Sequence, residues 1–335
     1  MTADTAQVDH IAFNRFEERS VGTKARNGLP PIKNVLLATN FSPAAERAFE
    51  SALRFCRETG AGLTLLHVVE PAAVGSAENR LAMAACNLGE EAERRLAQLC
   101  SRAEVAGVRC LAVLGAGTAA EGILSAIRRM NVDVAVLGMG APHSVDRFFF
   151  GSTAEAVLSR AACPVMIVGP AAASTASEEK RVRPVVFATD FHMVTSHAVR
   201  YAASFCAATG AELHCLHVLP RMLQGGTDHI MAEILTEGLK HLAATDAPNI
   251  PNAVCSVTYG SEISNAIVDY ALKLEAQLIV LGVRRESILE SHGPASVAFR
   301  ILTEASCPVL AVAYGAEAEL EANRSQMESV GVQRI

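Results

Sequence analysis

Displaced by 150 residues, the chain repeats itself. VLLATNF (Val35 to Phe41) falls on VVFATDF (Val185 to Phe191), and FCRETGAGLTLLHVV on FCAATGAELHCLHVL, with 15 identities over the 35 positions from Val35 to Val69. Further along the displacement becomes 144, where DVAVLG matches QLIVLG and ACPVMIV matches SCPVLAV, so the second copy is six residues shorter in its middle. Copies of about 140 residues are too long for a solenoid unit and the right size for domains. The repeat therefore predicts two similar domains. Their boundaries are expected at 32–170 and 184–315, with an N-terminal arm at 1–31, a small, polar and charged linker at 171–183 and a tail at 316–335.

Each copy alternates short β-branched runs with longer Ala-rich segments. In the first copy strands are expected at 34–39, 62–69, 109–114, 133–138 and 164–168, and helices at 43–59, 78–105, 118–130 and 152–161. Strands apolar on both faces and separated by helices predict an α/β fold, doubly wound around a parallel sheet. A formal charge of −6 gives no basic footprint for nucleic acid. No run reaches the eighteen or so apolar residues of a membrane span, and the first twenty residues lack the apolar core of a signal peptide. Nine cysteines without a CxxC pair point to buried thiols in a reducing compartment, hence the cytoplasm.

The stretch GMGAPHSVDRFFFGSTAEAV, from Gly138 to Val157, is too long for a plain connection between strand and helix. In an open parallel sheet, ligands settle at the carboxyl ends of strands where the strand order reverses. Glycines there allow close backbone approach, and Gly151-Ser152 opens a helix whose free N–H groups favour an anion. A phosphate chain between the two backbones is one use of the loop, with the Ser152 hydroxyl and Thr153 amide as donors. The other use is structural: Ser152 with Glu155 also spells a capping box.

The pattern Gly138-Met139-Gly140-Ala141, nine residues, then Gly151-Ser152 resembles the universal stress protein family. So do a first strand ending Ala38-Thr39-Asn40, a second reading Leu65-Leu66-His67-Val68, and Ala162-Cys163-Pro164-Val165 before the last strand. The resemblance implies two Rossmann-like domains, each a five-stranded parallel sheet of order 3-2-1-4-5 flanked by helices. It implies ATP or a related adenine nucleotide, with or without Mg2+, at the switch point, and domains or homodimers paired through the last strand. Ala38, Thr39, Asn40 and the Val68 backbone would meet the nucleoside end. Gly138, Met139, Gly140, Ala141, Arg147, Gly151, Ser152 and Thr153 would meet the phosphates. Two positions depart from the family: its second loop glycine is Ala141, and its aspartate is Asn40, which accepts a hydrogen bond but carries no charge.

The second copy keeps Asp190 after Thr189, with Val218 matching Val68. Its loop, however, reads Gly282-Val283-Arg284-Arg285, nine residues, then Ala295-Ser296. Arg285 and Ala295 replace glycines, so a vestigial site would depend on guanidinium contacts. Asp190 has the alternative of capping the helix that follows.

Other features read as structure. Gly115-Ala116-Gly117-Thr118-Ala119-Ala120 fits a dinucleotide fingerprint, but the required acid is missing from the end of the next strand, where Asp133 stands at the beginning. His67 and His217 are expected as buried, hydrogen-bonded imidazoles, and Cys56 and Cys206 as core thiols. His143, Asp146 and Arg147 either contact phosphates or solvate the long loop, solvation being the reading for the first two, and Phe148-Phe149-Phe150 packs beneath the loop or at a domain contact. No P-loop, HExxH, GxSxG or paired carboxylate appears, so no enzyme is expected beyond slow ATP hydrolysis. Two functions remain: a nucleotide-responsive stress regulator that binds ATP in domain 1, or an adaptor that binds none.

Overall fold

A computed structural model describes residues 32–70, 78–140, 151–172, 183–220, 228–285 and 296–314. The arm, the tail, most of the linker and the loop residues Ala141, His143, Asp146, Arg147, Phe148, Phe149, Phe150 and Ala295 lie outside them.

The first copy runs β1 (Asn34–Ala38), α1 (Pro43–Thr59), β2 (Gly62–Val69), α2 (Glu78–Val105), β3 (Cys110–Ala116), α3 (Ala119–Arg129), β4 (Val134–Gly138), α4 (Ser152–Arg160) and β5 (Val165–Val168). The second runs β6 (Val185–Ala188), α5 (Met193–Thr209), β7 (Leu213–Pro220), α6 (Asp228–Asp246), β8 (Val254–Gly260), α7 (Ile263–Lys273), β9 (Leu278–Arg284), α8 (Val297–Glu304) and β10 (Val309–Tyr314). Local chemistry sets the boundaries. Ser42 accepts from the Ala45 amide at 3.3 Å and Pro43 opens α1. The same helix closes on Gly60 at φ 75°, as α5 does on Gly210 at φ 74°, a conformation that favours glycine.

The strand order is β3-β2-β1-β4-β5-β10-β9-β6-β7-β8. Each half keeps the expected 3-2-1-4-5 order, but the halves are not two separate sheets. They form one ten-stranded mixed sheet, parallel except where β5 meets β10 antiparallel, with Met166 opposite Leu310. The reason is physical: β5 and β10 are buried and apolar along almost their whole length, and left as edges they would expose unpaired backbone groups.

One core cluster lies under α1, α2, α5 and α6, and the other under α3, α4, α7 and α8, and both run through the two halves. At the seam Phe55 of α1 stacks on Phe205 of α5, its repeat equivalent, with ring centroids 5.0 Å apart. Because the seam is antiparallel, the carboxyl ends of the two sets of strands face opposite ends of the sheet.

Candidate functional site

β1 stops at Ala38, between β2 and β4. The chain then turns sharply through Phe41 at φ 59°. Thr39 Oγ1 accepts from the Phe41 amide at 3.0 Å and Asn40 Oδ1 from the Ser42 amide at 3.1 Å, two local turns of the kind short polar side chains form. The His67 ring lies against Phe41, with centroids 4.6 Å apart, and His67 Nδ1 is 2.8 Å from the Thr39 carbonyl. A carbonyl only accepts, so Nδ1 carries the proton.

The second copy builds the same turn. Phe191 has φ 61°, its amide donates to Thr189 Oγ1 at 3.0 Å, Asp190 Oδ1 accepts from the His192 amide at 3.0 Å, and His217 Nδ1 meets the Thr189 carbonyl at 2.8 Å. The repeated histidines are thus pins between β2 or β7 and the turn. Asp190 makes a local turn just before α5, accepting from the amide of its cap residue His192.

Where β1 has stopped, its neighbours still present backbone. The Leu63 amide bonds toward β3 and the Gly62 amide toward β1, so strand alternation turns the Val68 backbone to the β1 side. On β4, the Ala135 and Met139 amides bond the carbonyls of Pro164 and Val168 beside β5, at 3.0 and 2.9 Å. The Gly140 N–H therefore points the other way, into the same crevice. Asn40 borders it from the end of β1.

α4 begins across the long loop. Gly151 is its cap residue, at φ −53°, with no side-chain cap, and Ser152 is the first helical residue. The capping box suggested by Ser152 and Glu155 is not formed, Gly151 being the cap residue, and among the described residues no side chain caps the first amides of α4. An added Cβ at Gly140 or Gly151 would meet nothing within 4 Å among the described residues. Gly138 differs: its Cβ would lie 2.2 Å from the Ala44 carbonyl oxygen. Gly138 lets α1 seat against β4.

The matching positions of the second copy are engaged differently. Pairing of β9 with β10 continues through Gly282 to Arg284 opposite Tyr314, whereas pairing of β4 with β5 ends at Gly138. Ser296 caps α8 through its hydroxyl, accepting from the Phe299 amide. Arg285 reaches across to the other half. Its Nη2 donates at 2.7 Å to the Ala161 carbonyl, the C-cap of α4 in the other half. Val218 lies buried on β7.

The fingerprint at Gly115 is also accounted for. The Glu70 carboxylate accepts from the Ala119 amide at 3.1 Å, filling the start of α3, and Asp133 at the far end of the sheet takes the Lys33 and Asn34 amides at 2.7 and 2.8 Å. The Val68 side chain meets Gly122 of α3, where a Cβ would lie 2.7 Å from it. Cys56 and Cys206 are buried, and burial pushes both thiols up to about 12. Among the described residues no group of three or more His, Cys, Asp or Glu could hold a metal ion, and no helix is long and apolar enough to cross a membrane.

The Universal stress protein family profile matches residues 31–169 and again 181–313. The chain belongs to the universal stress protein family. Each copy is one family unit. A universal stress protein of Methanocaldococcus jannaschii is 28% identical over 145 residues, 43% of this chain and 85% of that protein. One from Thermus aquaticus is 32% identical over 137 residues, 41% of this chain and 98% of that protein. Among solved structures, a universal stress protein from Archaeoglobus fulgidus aligns with a TM-score of 0.63 at 19% identity, covering 84% of this chain and 98% of its own. That likeness shows a shared fold spanning both halves.

Arg47 and Glu70 were not among the residues singled out from the sequence. Glu70 stands one residue past β2, a position that carried no signal without the sheet order. Arg47 sits on the first turns of α1, and its Nη2 donates to the Met139 carbonyl at 3.2 Å.

Proposed function

We propose that this universal stress protein binds ATP or a related adenine nucleotide in its first domain and acts as a nucleotide-responsive regulator, the second domain being a degenerate copy that serves pairing. The observation that carries the reading is the difference between the two mouths. In domain 1 no described side chain caps the start of α4, and the alternation along β4 turns the Gly140 amide to the β1 side; in domain 2 the matching helix is capped by Ser296 and Arg285 is engaged by α4. Main-chain amides at a helix start suit a phosphate chain. The Val68 backbone and Asn40 would meet the nucleoside, while Gly140, Gly151, Ser152 and Thr153 would meet the phosphates. A magnesium ion arriving with the triphosphate would be held by phosphate oxygens and water, since the described residues offer it no ligand cluster. The described residues assigned to the crevice include no carboxylate or imidazole to serve as a base, and in this reading the nucleotide acts as a signal rather than a substrate.

A ligand that binds only the folded state raises its melting temperature. Addition of millimolar ATP is expected to do so for the wild type and for Ala295→Val, but not for Gly151→Val. Because Gly151 has open space and a negative φ, the valine variant is expected to melt normally without ATP. An equal ATP response in wild type and Gly151→Val would refute the placement. No response in either would leave the adaptor function standing.

A further inference from the structure

The register of β4 on β5 leaves one carbonyl without a ladder donor. Gly138 lies opposite Val168, so Met139 comes opposite Gly169, and the Met139 amide duly donates to the Val168 carbonyl at 2.9 Å. In a parallel ladder the Met139 carbonyl would next accept from the N–H of residue 170. Residue 170 is proline and has none. Arg47 Nη2 supplies the donor from α1, at 3.2 Å, while Nη1 rests on the Pro43 carbonyl at 3.4 Å.

The second half shows what happens where the proline is missing. Tyr314 stands at the position of Pro170, and β9 and β10 stay paired through Val283 opposite Ala313 and Arg284 opposite Tyr314. That register gives the Val283 carbonyl the Tyr314 N–H, and the residue in Arg47's place is His197. An arginine on the helix thus goes with a proline on the strand, and both are absent from the other copy.

The consequence reaches the crevice through one planar unit. In a trans peptide the carbonyl and the following N–H point in opposite directions. Holding the Met139 carbonyl on the β5 side therefore fixes the Gly140 N–H toward the β1 side. We propose that Arg47 is a positioning residue for the phosphate site: standing in for the N–H that Pro170 lacks, it holds the Met139–Gly140 peptide so that the Gly140 amide faces the nucleotide. This rests on nucleotide binding in domain 1.

The test is calorimetric titration of the full chain with ATP, alongside melting temperatures without ligand, for wild type, Arg47→Met, Pro170→Ala and the double variant. Arg47→Met is expected to weaken ATP binding about tenfold, the effect of losing one net hydrogen bond. Pro170→Ala returns a backbone donor, so the double variant is expected to recover most of that loss. Stability alone would not produce such a rescue, because replacing a fitting proline by alanine loosens the unfolded chain and lowers the melting temperature. Should Arg47→Met not fold, Arg47→Lys takes its place, with a smaller loss and the same rescue. Unchanged affinity in the Arg47 variant, or a loss that Pro170→Ala does not repair, overturns the assignment while leaving the nucleotide site intact. A wild type that takes no ATP overturns both.

Discussion

Gly138, Gly140 and Gly151 belong to one motif in the sequence, yet the structure gives them different work. Gly138 closes a packing contact: a methyl group there would meet the Ala44 carbonyl oxygen at 2.2 Å, and a backbone atom in a helix cannot step aside. Gly138→Ala is therefore expected to destabilise the protein by about 3 kcal/mol, a typical overpacking cost, seen as a lower urea midpoint with or without nucleotide. An unchanged midpoint would show that α1 is not seated as described. The motif as a whole was legible because its spacing follows a strand and precedes a helix. The division of labour was not, because Ala44 is far from Gly138 in sequence. Pro170 was equally silent: a proline after a strand is ordinary until the register shows which carbonyl it leaves unmet.

At the scale of elements, the alternation of apolar runs placed every strand and helix of the first copy within a residue or two, since burial on both faces and αL glycines leave clear marks. Side-chain reach was harder to see. Arg285 was read as a residue on which a vestigial site would depend, and the sequence did not show that its Nη2 reaches the Ala161 carbonyl at the end of α4 in the other half, where a cation suits the helix C-terminus. Helix α5 carries a pH-dependent contribution. Burial, and then the charge of Arg200, hold the His197 imidazole below its ordinary value, which is about 6.5 in an unfolded chain. The folded state thus binds fewer protons than the unfolded one. The stability this group contributes is present above about pH 6.5 and is lost as pH falls through its folded value. Urea unfolding at pH 5 and pH 7.5 is expected to show a smaller difference for His197→Gln than for the wild type. An identical difference would contradict it.

For the whole molecule, the repeat made two domains legible, and the family resemblance supplied the strand order and the pairing of domains through the last strand, which β5 and β10 make within one chain. Nothing in β5 or β10 alone says that each completes the other; that follows only once both are seen as apolar strands with no other neighbour. The seam joins the halves through β5 and β10, with Phe55 stacked on Phe205. Phe55→Ala is expected to cost about 3–5 kcal/mol, and the double alanine variant less than the sum of the singles, because the rings share one contact. Additive losses in urea unfolding would mean that the stack couples nothing. The two mouths differ in their described residues: no side chain among them caps the start of α4, whereas Ser296 caps α8 and Arg285 is engaged by the end of α4. Calorimetric titration of the full chain with ATP measures that difference directly. A stoichiometry of one nucleotide per chain, abolished by Gly151→Val, is the predicted result; two equivalent sites, or one site that survives Gly151→Val, would contradict it.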